Sequence, residues 1–264
     1  MTNIIEILIL AIIQGVTEWL PISSSGHLVI AQKYLSLSLP VFFDVALHVG
    51  SLLVVLIVFR NEIFKILGAV AHFDSKSEEG KLLFYIVLGS VPIAIIGVVF
   101  KTMFESFFDN LMITGVALLI MGIFLFISER REDPNRKLNH LDSVMIGIAQ
   151  AVALIPGISR SGITITTGLL RRVERQAAFT FSFLLFIPAV VGATVVTVAE
   201  APDLTATGVD YATMLLGLVT TMIVGYFSIR LLRKVVLTGR FHLFAYYCWI
   251  LGIIVLLTQV FGAS

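Results

Sequence analysis

Two short segments of the sequence concentrate the side chains that could do chemistry. The first runs from Gln14 to His27 and reads QGVTEWLPISSSGH, inside an otherwise apolar run. The second runs from Pro156 to Thr164 and reads PGISRSGIT. An ionisable group at membrane depth costs about 2.5–3.5 kcal/mol on insertion scales, so such a group indicates a functional site. Both segments are therefore candidate sites.

The first segment carries a carboxylate, an amide, serines and an imidazole. Gln14 and Glu18 are four residues apart, so on a helix they share a face. Their oxygens, completed by water and phosphate oxygens, suit Mg²⁺ or Ca²⁺. The alternative is that Glu18 pairs with Arg160 or caps a helix. Ser24 and His27 are three apart, a spacing that lets an imidazole activate a serine nucleophile; a buried structural role for His27 is the alternative.

Pro21 is expected to end the first helix of this segment, because the residue before a proline leaves the α region. The serines and Gly26 then form a turn into a second helix. Backbone N–H groups at a helix start bind anions, so Ser25 and Gly26 are candidate phosphate-binding positions.

The second segment offers hydroxyls, glycines and one arginine. Arg160 stays charged when buried and binds phosphate bidentately. Glycines let the backbone approach a ligand closely. The candidate phosphate-binding residues are Gly157, Ser159, Arg160, Ser161, Gly162 and Thr164. With Glu18, Ser24 and His27 from the first segment, this set suits phosphoryl transfer, in which positive groups stabilise charge on the phosphoryl oxygens.

The composition is that of an integral membrane protein. The 264 residues are 58% hydrophobic and 13% charged, with a mean hydropathy of +1.02; soluble domains carry about 25% charged residues. The net charge of +1 provides no strong electrostatic attraction for nucleic acid. Cys248 is the one cysteine, which excludes an internal disulfide. The first lysine is Lys33, so no cleavable signal peptide is expected.

Six apolar stretches are long enough, or nearly so, to cross a bilayer as helices. They lie at about 41–59, 82–100, 111–127, 177–199, 211–229 and 243–261. Two further apolar regions, about 4–31 and 143–170, are interrupted by Pro, Gly, Ser and charge. Broken backbone at membrane depth is tolerated only where it is buried in protein or lines a cavity. We interpret both regions as re-entrant helical hairpins; two kinked spans each are the alternative.

The positive charges predict the orientation. On this arrangement 15 of the 18 Lys and Arg residues fall on one side. The other side receives Lys33 and Lys101, while Arg160 lies within the second hairpin. The rich side should face the cytoplasm. Both termini and the mouth of the first hairpin are then expected outside, and the second hairpin opens from the cytoplasm.

The two halves of the chain repeat. Gln14 to Gly26 is a step of 12 residues, as is Gln150 to Gly162, at an offset of 136. The halves span about 1–127 and 138–264, with a charged linker at 128–142. Each half holds one hairpin and three crossings, so the halves must be inverted in the membrane. The predicted fold is all-α, with six transmembrane helices plus two re-entrant helical hairpins in an inverted repeat. Such repeats place a binding site at their interface, near the midplane.

Both motifs together resemble the undecaprenyl-diphosphatase family, also called bacitracin-resistance proteins. The resemblance covers essentially the whole chain and implies a multi-pass plasma-membrane phosphatase. Its substrate is an isoprenyl diphosphate lipid, undecaprenyl diphosphate, and its cofactor Mg²⁺ or Ca²⁺. By the same resemblance, the reaction recycles the lipid carrier that is used for peptidoglycan synthesis. Carried over by position, the catalytic histidine is His27, the motif serine Ser24, the phosphate arginine Arg160 and the main metal carboxylate Glu18. The family's first acidic position is Gln14 here, the neutral variant.

The sequence favours a phosphatase whose site opens to the extracytoplasmic side, and two other functions are alternatives to it. Inverted repeats with broken helices are also the architecture of secondary transporters, so a flippase of isoprenyl phosphate lipids is the alternative. The Ser24 and His27 pair favours chemistry, because carrying a phosphate needs no nucleophile. An ion channel fits poorly. Asp44 and His48 could support the site, and a homodimer is compatible with the sequence.

Overall fold

The computed structural model describes residues 4–37, 41–129, 135–200 and 211–261. These residues form twelve α-helices, and beyond an isolated bridge between Arg136 and Val173 they contain no β-structure. In chain order the helices are α1 (Ile4–Thr17), α2 (Ser24–Tyr34), α3 (Val41–Val58), α4 (Arg60–Ala71), α5 (Glu78–Val99), α6 (Lys101–Phe108), α7 (Leu111–Ser128), α8 (His140–Val152), α9 (Arg160–Leu170), α10 (Arg175–Glu200), α11 (Tyr211–Leu237) and α12 (Leu243–Phe261). The all-helical prediction is confirmed.

Within the described ranges, five helices are long and apolar enough to cross a membrane: α5, α7, α10, α11 and α12. They have 18–27 residues, and about 20 residues cross the hydrocarbon core of a bilayer. A sixth span results if α3 and α4, which are bent by 77° at their junction, count as one unit. The chain is therefore a multi-pass membrane protein. Five of the six predicted stretches form such helices, and the sixth, at 41–59, forms α3 and qualifies as a span only together with α4.

Both interrupted regions fold as two short helices joined by a turn. In the first, α1 ends at Thr17 and α2 begins at Ser24; in the second, α8 ends at Val152 and α9 begins at Arg160. The two helices of each region pack against each other. A serine caps the second helix of each pair: Ser23 Oγ accepts from the Gly26 N–H at 3.2 Å, and Ser159 Oγ from the Gly162 N–H at 3.1 Å.

The helices pack across the two halves of the chain. Helix α1 lies against α11, α8 lies against α5, and α7 lies against α12. The α5–α8 contact is close enough to require glycine, because a Cβ on Gly147 would lie 2.1 Å from the carbonyl oxygen of Gly89. Each interrupted region is thus held by a long helix from the opposite half.

Aromatic side chains fill the core beneath the first turn. Trp19 is fully buried, with its ring centroid 5.5 Å from that of Phe183 and 5.6 Å from that of Phe186. Phe59 stacks on Phe183 at 5.7 Å from the other side. Large apolar residues elsewhere on α5, α10, α11 and α12 are exposed, as expected for surfaces that face lipid. The rigid aromatic core therefore supports the polar turn.

The linker predicted at 128–142 follows the end of α7 at Ser128 and leads into α8. Its residues 130–134 lie outside the described residues. Asp142, in the first turn of α8, is fully buried and accepts from Arg136 Nη2 at 2.8 Å and from Arg171 Nε at 2.7 Å. Asn139 and Asp142 also form a capping box. These bonds fix where α8 begins.

Candidate active site

The two predicted segments meet through direct hydrogen bonds. Ser23 Oγ accepts from the Gly157 N–H at 3.0 Å. Ser161 Oγ donates to the Trp19 carbonyl at 2.9 Å, and Ser159 Oγ approaches the Leu20 carbonyl at 3.5 Å. Residues more than 130 positions apart in the sequence therefore form one polar cluster, which we call the paired turns: residues 18–27 together with residues 157–164.

The backbone at this contact is unusual. Ser23 has a φ of +71°, which costs a residue with a Cβ about 1–3 kcal/mol. Gly157 has a φ of +102°, and a Cβ there would lie 2.5 Å from the Thr114 carbonyl oxygen. A Cβ on Gly26 would be 3.2 Å from Gly157. Only glycine at 157 permits both the turn and its approach to the first segment.

Glu18 is the hub of the site and is only 6% exposed. Its Oε1 accepts from Arg160 Nη2 at 2.8 Å, so one carboxylate oxygen binds the second turn. Its Oε2 accepts from Ser24 Oγ at 2.6 Å and from Gln14 Nε2 at 3.2 Å. His48 Nε2 lies 3.4 Å from the same oxygen. The pairing of Glu18 with Arg160, an alternative at the sequence level, is present in the structure.

Arg160 keeps part of its hydrogen-bonding capacity unused. Its side chain is 13% exposed, and the guanidinium lies 4.0 Å above the ring of Phe186. Among the described residues, Nε and Nη1 are buried without a hydrogen-bond partner. A buried donor left unpaired costs about 1–3 kcal/mol, and a phosphate oxygen would satisfy these two donors with charge-assisted bonds. Arg160 is therefore suited to bind an oxyanion beside Glu18.

His27 makes different contacts from those predicted. Its Nδ1 lies 2.7 Å from the Ser23 carbonyl oxygen, and its Nε2 lies 2.7 Å from Tyr247 Oη on α12. In the part of the chain that is described, Ser24 and His27 do not bond to each other; Ser24 Oγ turns to Glu18 instead. The expected Ser24–His27 pair is thus corrected to a Ser24–Glu18 pair. The spacing of three residues allowed the contact, but the local backbone favours Glu18 for Ser24 and the Ser23 carbonyl for His27.

The other predicted hydroxyls make contacts within their own turns or with α10. Ser25 Oγ contacts Ser23 Oγ at 3.2 Å, and Ser159 Oγ contacts Ser161 Oγ at 3.1 Å. Thr164 Oγ1 donates to the Arg160 carbonyl at 2.7 Å and lies 2.6 Å from Ser182 Oγ. These contacts show a supporting role in the turns.

Gly162 lies in the first turn of α9 with no room for a side chain, since a Cβ there would be 2.9 Å from Met121 Cε. The amide N–H of this residue donates to Ser159 Oγ at 3.1 Å.

Two residues that contact the site were not assigned to it from the sequence. Tyr247 lies 220 residues from His27 in the sequence, so no spacing could indicate their contact. His48 was considered only as a supporting residue. Its Nδ1 lies 2.7 Å from the Asp44 carbonyl oxygen, which directs Nε2 toward Glu18. The four-residue spacing of Asp44 and His48 was the one signal for this arm of the network.

A divalent cation would find oxygen ligands here, though not a complete cage. In the described residues there is no group of three or more His, Cys, Asp or Glu side chains that could hold a metal ion. The buried Oε1 of Gln14 has no hydrogen-bond partner, however, and the same amide group contacts the Glu18 carboxylate through Nε2 at 3.2 Å. Mg²⁺ is often held by one or two protein oxygens plus substrate phosphates. The donor set fits a cation of that kind.

Comparison with known proteins agrees with the motifs. The family model described as "Bacitracin resistance protein BacA" matches residues 7–254. A protein of Carboxydothermus hydrogenoformans named undecaprenyl-diphosphatase is 39% identical, over 98% of this chain and 99% of its own length. One of the same name from Desulfosudis oleivorans is 42% identical, over 94% and 96%. One from Korarchaeum cryptofilum is 39% identical, over 96% and 98%. The chain therefore belongs to the bacitracin resistance protein BacA family.

Proposed function

We propose that the protein is a membrane phosphatase that hydrolyses undecaprenyl diphosphate to undecaprenyl phosphate and inorganic phosphate. The main support is the environment of Arg160. Two of its buried nitrogens, Nε and Nη1, have no partner, and its third binds Glu18, the carboxylate that also accepts from Ser24. The names of the relatives and the family membership support the same substrate. This activity would return the lipid carrier to peptidoglycan synthesis and give resistance to bacitracin.

The contacts of Ser24 favour it as the nucleophile. Its hydroxyl already donates to Glu18 Oε2, so the carboxylate can take its proton. Ser24 Oγ would bond to the terminal phosphorus while the bond to the bridging oxygen breaks. The electron pair of that bond leaves with undecaprenyl phosphate. Water then hydrolyses the phosphoserine to release phosphate. Direct attack by water would bypass a covalent intermediate, whereas direct attack by His27 would form a phosphohistidine in place of the phosphoserine.

Arg160 and His27 would serve the two stages. The Arg160 guanidinium, always charged and partly desolvated, would stabilise the phosphoryl oxygens as charge develops. Binding of a diphosphate would compete with Glu18 for this guanidinium and leave the carboxylate free to accept the Ser24 proton. His27 Nε2 would take the proton of the water that attacks the phosphoserine.

The cation would be held by Glu18, with Gln14 Oε1 as a second oxygen ligand, and by substrate oxygens. When bound, Mg²⁺ or Ca²⁺ supplies neutralisation of the diphosphate charge. The contact of Gln14 Nε2 with Glu18 Oε2 at 3.2 Å supports this assignment, as does the unpaired Gln14 oxygen.

We also infer the finer architecture: two re-entrant hairpins in an inverted repeat, with the site open to the extracytoplasmic side and both termini outside. Two capping serines 136 residues apart, Ser23 and Ser159, support the repeat. So do the crossed contacts of α1 with α11 and of α8 with α5. The charge asymmetry of the sequence supports the orientation. The isoprenoid tail would lie in the bilayer between helices. A homodimer stays a prediction.

Purified protein in detergent, given a long-chain isoprenyl diphosphate, tests the function. We expect phosphate release with Mg²⁺, none with EDTA, and a loss of release in His27→Ala. Folded protein that releases no phosphate with any divalent cation would overturn the proposal. Movement of a lipid phosphate across sealed vesicles would then establish the transporter alternative.

A further inference from the structure

Tyr247 joins helix α12 to the first of the paired turns. Its Oη lies 2.7 Å from His27 Nε2, and the two rings are stacked, with centroids 5.7 Å apart and planes inclined by 11°. The next residue, Cys248, places its Sγ 3.6 Å from the Pro21 carbonyl oxygen. Helix α12 therefore contacts the turn at two successive residues. Tyr247 contacts the imidazole both through its ring and through a hydrogen bond at Nε2.

The hydrogen bonds fix the tautomer of His27. The Ser23 carbonyl can only accept, so Nδ1, at 2.7 Å, must carry a hydrogen. In the neutral ring Nε2 then bears the lone pair, and Tyr247 Oη is the donor to it. Nε2 is thus directed away from the Ser23 backbone, as a group that accepts a proton from water must be. Tyr247 is 43% exposed, so the bond between Tyr247 and His27 lies at the periphery of the packed helices and not in their core.

We propose that Tyr247 is a positioning residue for His27 in the phosphatase reaction. It sets the ring plane by stacking and holds Nε2 as the lone-pair nitrogen until a water molecule takes the place of the phenol. This inference rests on the proposed function, in which His27 acts as the base for hydrolysis. It assigns to α12, at the far end of the sequence, a share in a site otherwise built from the two motifs.

The chain offers a matched control in the adjacent residue. Tyr246 packs edge-on against Phe126 and Trp249, with ring centroids at 6.3 Å and 5.8 Å, and belongs to the α7–α12 contact. Tyr247→Phe removes one oxygen and keeps the stacked ring, whereas Tyr246→Phe makes the same change outside the site. Tyr247→Leu removes the stacking as well.

Steady-state kinetics of phosphate release test the role. We expect Tyr247→Phe to lower kcat about tenfold, the effect of one lost hydrogen bond, with KM little changed. Tyr247→Leu should lower kcat further, and Tyr246→Phe should match the wild type. If the wild type is active and the Tyr247→Phe variant has the same kcat, the inference about Tyr247 is overturned while the proposed function stands. A wild type that releases no phosphate would instead overturn the proposed function.

Nitrogen-15 NMR of the imidazoles tests the geometry without activity. The His27 signals, assigned by their loss in His27→Ala, should show protonated Nδ1 and an Nε2 that accepts a hydrogen bond. Tyr247→Phe should shift the Nε2 resonance, and Tyr246→Phe should not. A wild-type His27 protonated on Nε2 instead, or an Nε2 resonance unmoved in Tyr247→Phe, would overturn the inference even if the Tyr247 variants were too unstable for kinetics.

Discussion

At the scale of single residues, the site depends on how Glu18 divides its two oxygens. One oxygen binds Arg160 of the second turn, and the other accepts the hydroxyl of Ser24. A buried carboxylate is tolerated only when it is paired and hydrogen-bonded. Glu18 meets this condition through its bonds to Arg160, the proposed phosphate-binding residue, and to Ser24, the proposed nucleophile. The same bonds that stabilise the buried charge therefore place the reactive groups side by side.

Separate replacement of two neighbouring serines distinguishes a catalytic hydroxyl from a supporting one. Ser24→Ala removes the hydroxyl bonded to Glu18, and we expect at least about a hundredfold loss of phosphate release, the usual scale for losing proton-transfer chemistry. Ser25→Ala removes a hydroxyl that contacts only Ser23 Oγ among its described partners, and activity should stay close to wild type. Release of phosphate is the measurement. Equal activity of both variants would exclude Ser24 as the nucleophile and favour direct attack by water or by His27.

At the scale of the elements, the start of α8 is fixed by one buried carboxylate. Burial would raise the pKa of Asp142, but bonds from Arg136, Arg171 and the Asn139 N–H outweigh it and hold the pKa below 3.8. The stabilisation is therefore complete above that ordinary pKa and is lost as the pH falls through the lowered value. Helix α8 is expected to be the acid-sensitive element at this end of the second hairpin.

Replacement of this carboxylate tests the claim. Asp142→Asn should cost about 2–3 kcal/mol of folding free energy, less than a fully buried pair because both arginines are partly exposed. Thermal unfolding in detergent should show a lower Tm at pH 7 and a weaker loss of Tm between neutral and acidic pH than in the wild type. Phosphate release per folded molecule should not change. A Tm equal to that of the wild type at both pH values would contradict the assignment.

The sequence predicted the elements better than the contacts between them. Pro21 marked the first break, and the serines after it marked the turn into a second helix, because these are local effects of backbone sterics and capping. The partner of Ser24 was not predictable, since it depends on the positive φ of Ser23. Tyr247 reaches His27 only through the packing of α12, for which no local pattern exists.

At the scale of the whole molecule, the central claim is that helices from both halves bring two distant motifs into one phosphate-binding site. Helix α1 rests on α11 and α8 rests on α5, so neither turn is held by its own half alone. The motifs then meet through Ser23, Gly157 and Ser161, and through the bond from Arg160 to Glu18. A site assembled in this way should lose its activity when either motif loses its charged member.

The most direct measurement compares phosphate release by Arg160→Ala with that of the wild type, each corrected for folded protein. Arg233→Ala, which removes an exposed arginine bonded to Gln176, is the matched control. We predict a loss of about 10²–10³-fold or more in Arg160→Ala, the scale of losing one donor to a developing oxyanion, and none in Arg233→Ala. Folded Arg160→Ala protein that releases phosphate at a rate close to wild type would contradict the account, because the second motif would then not bind the reacting phosphate.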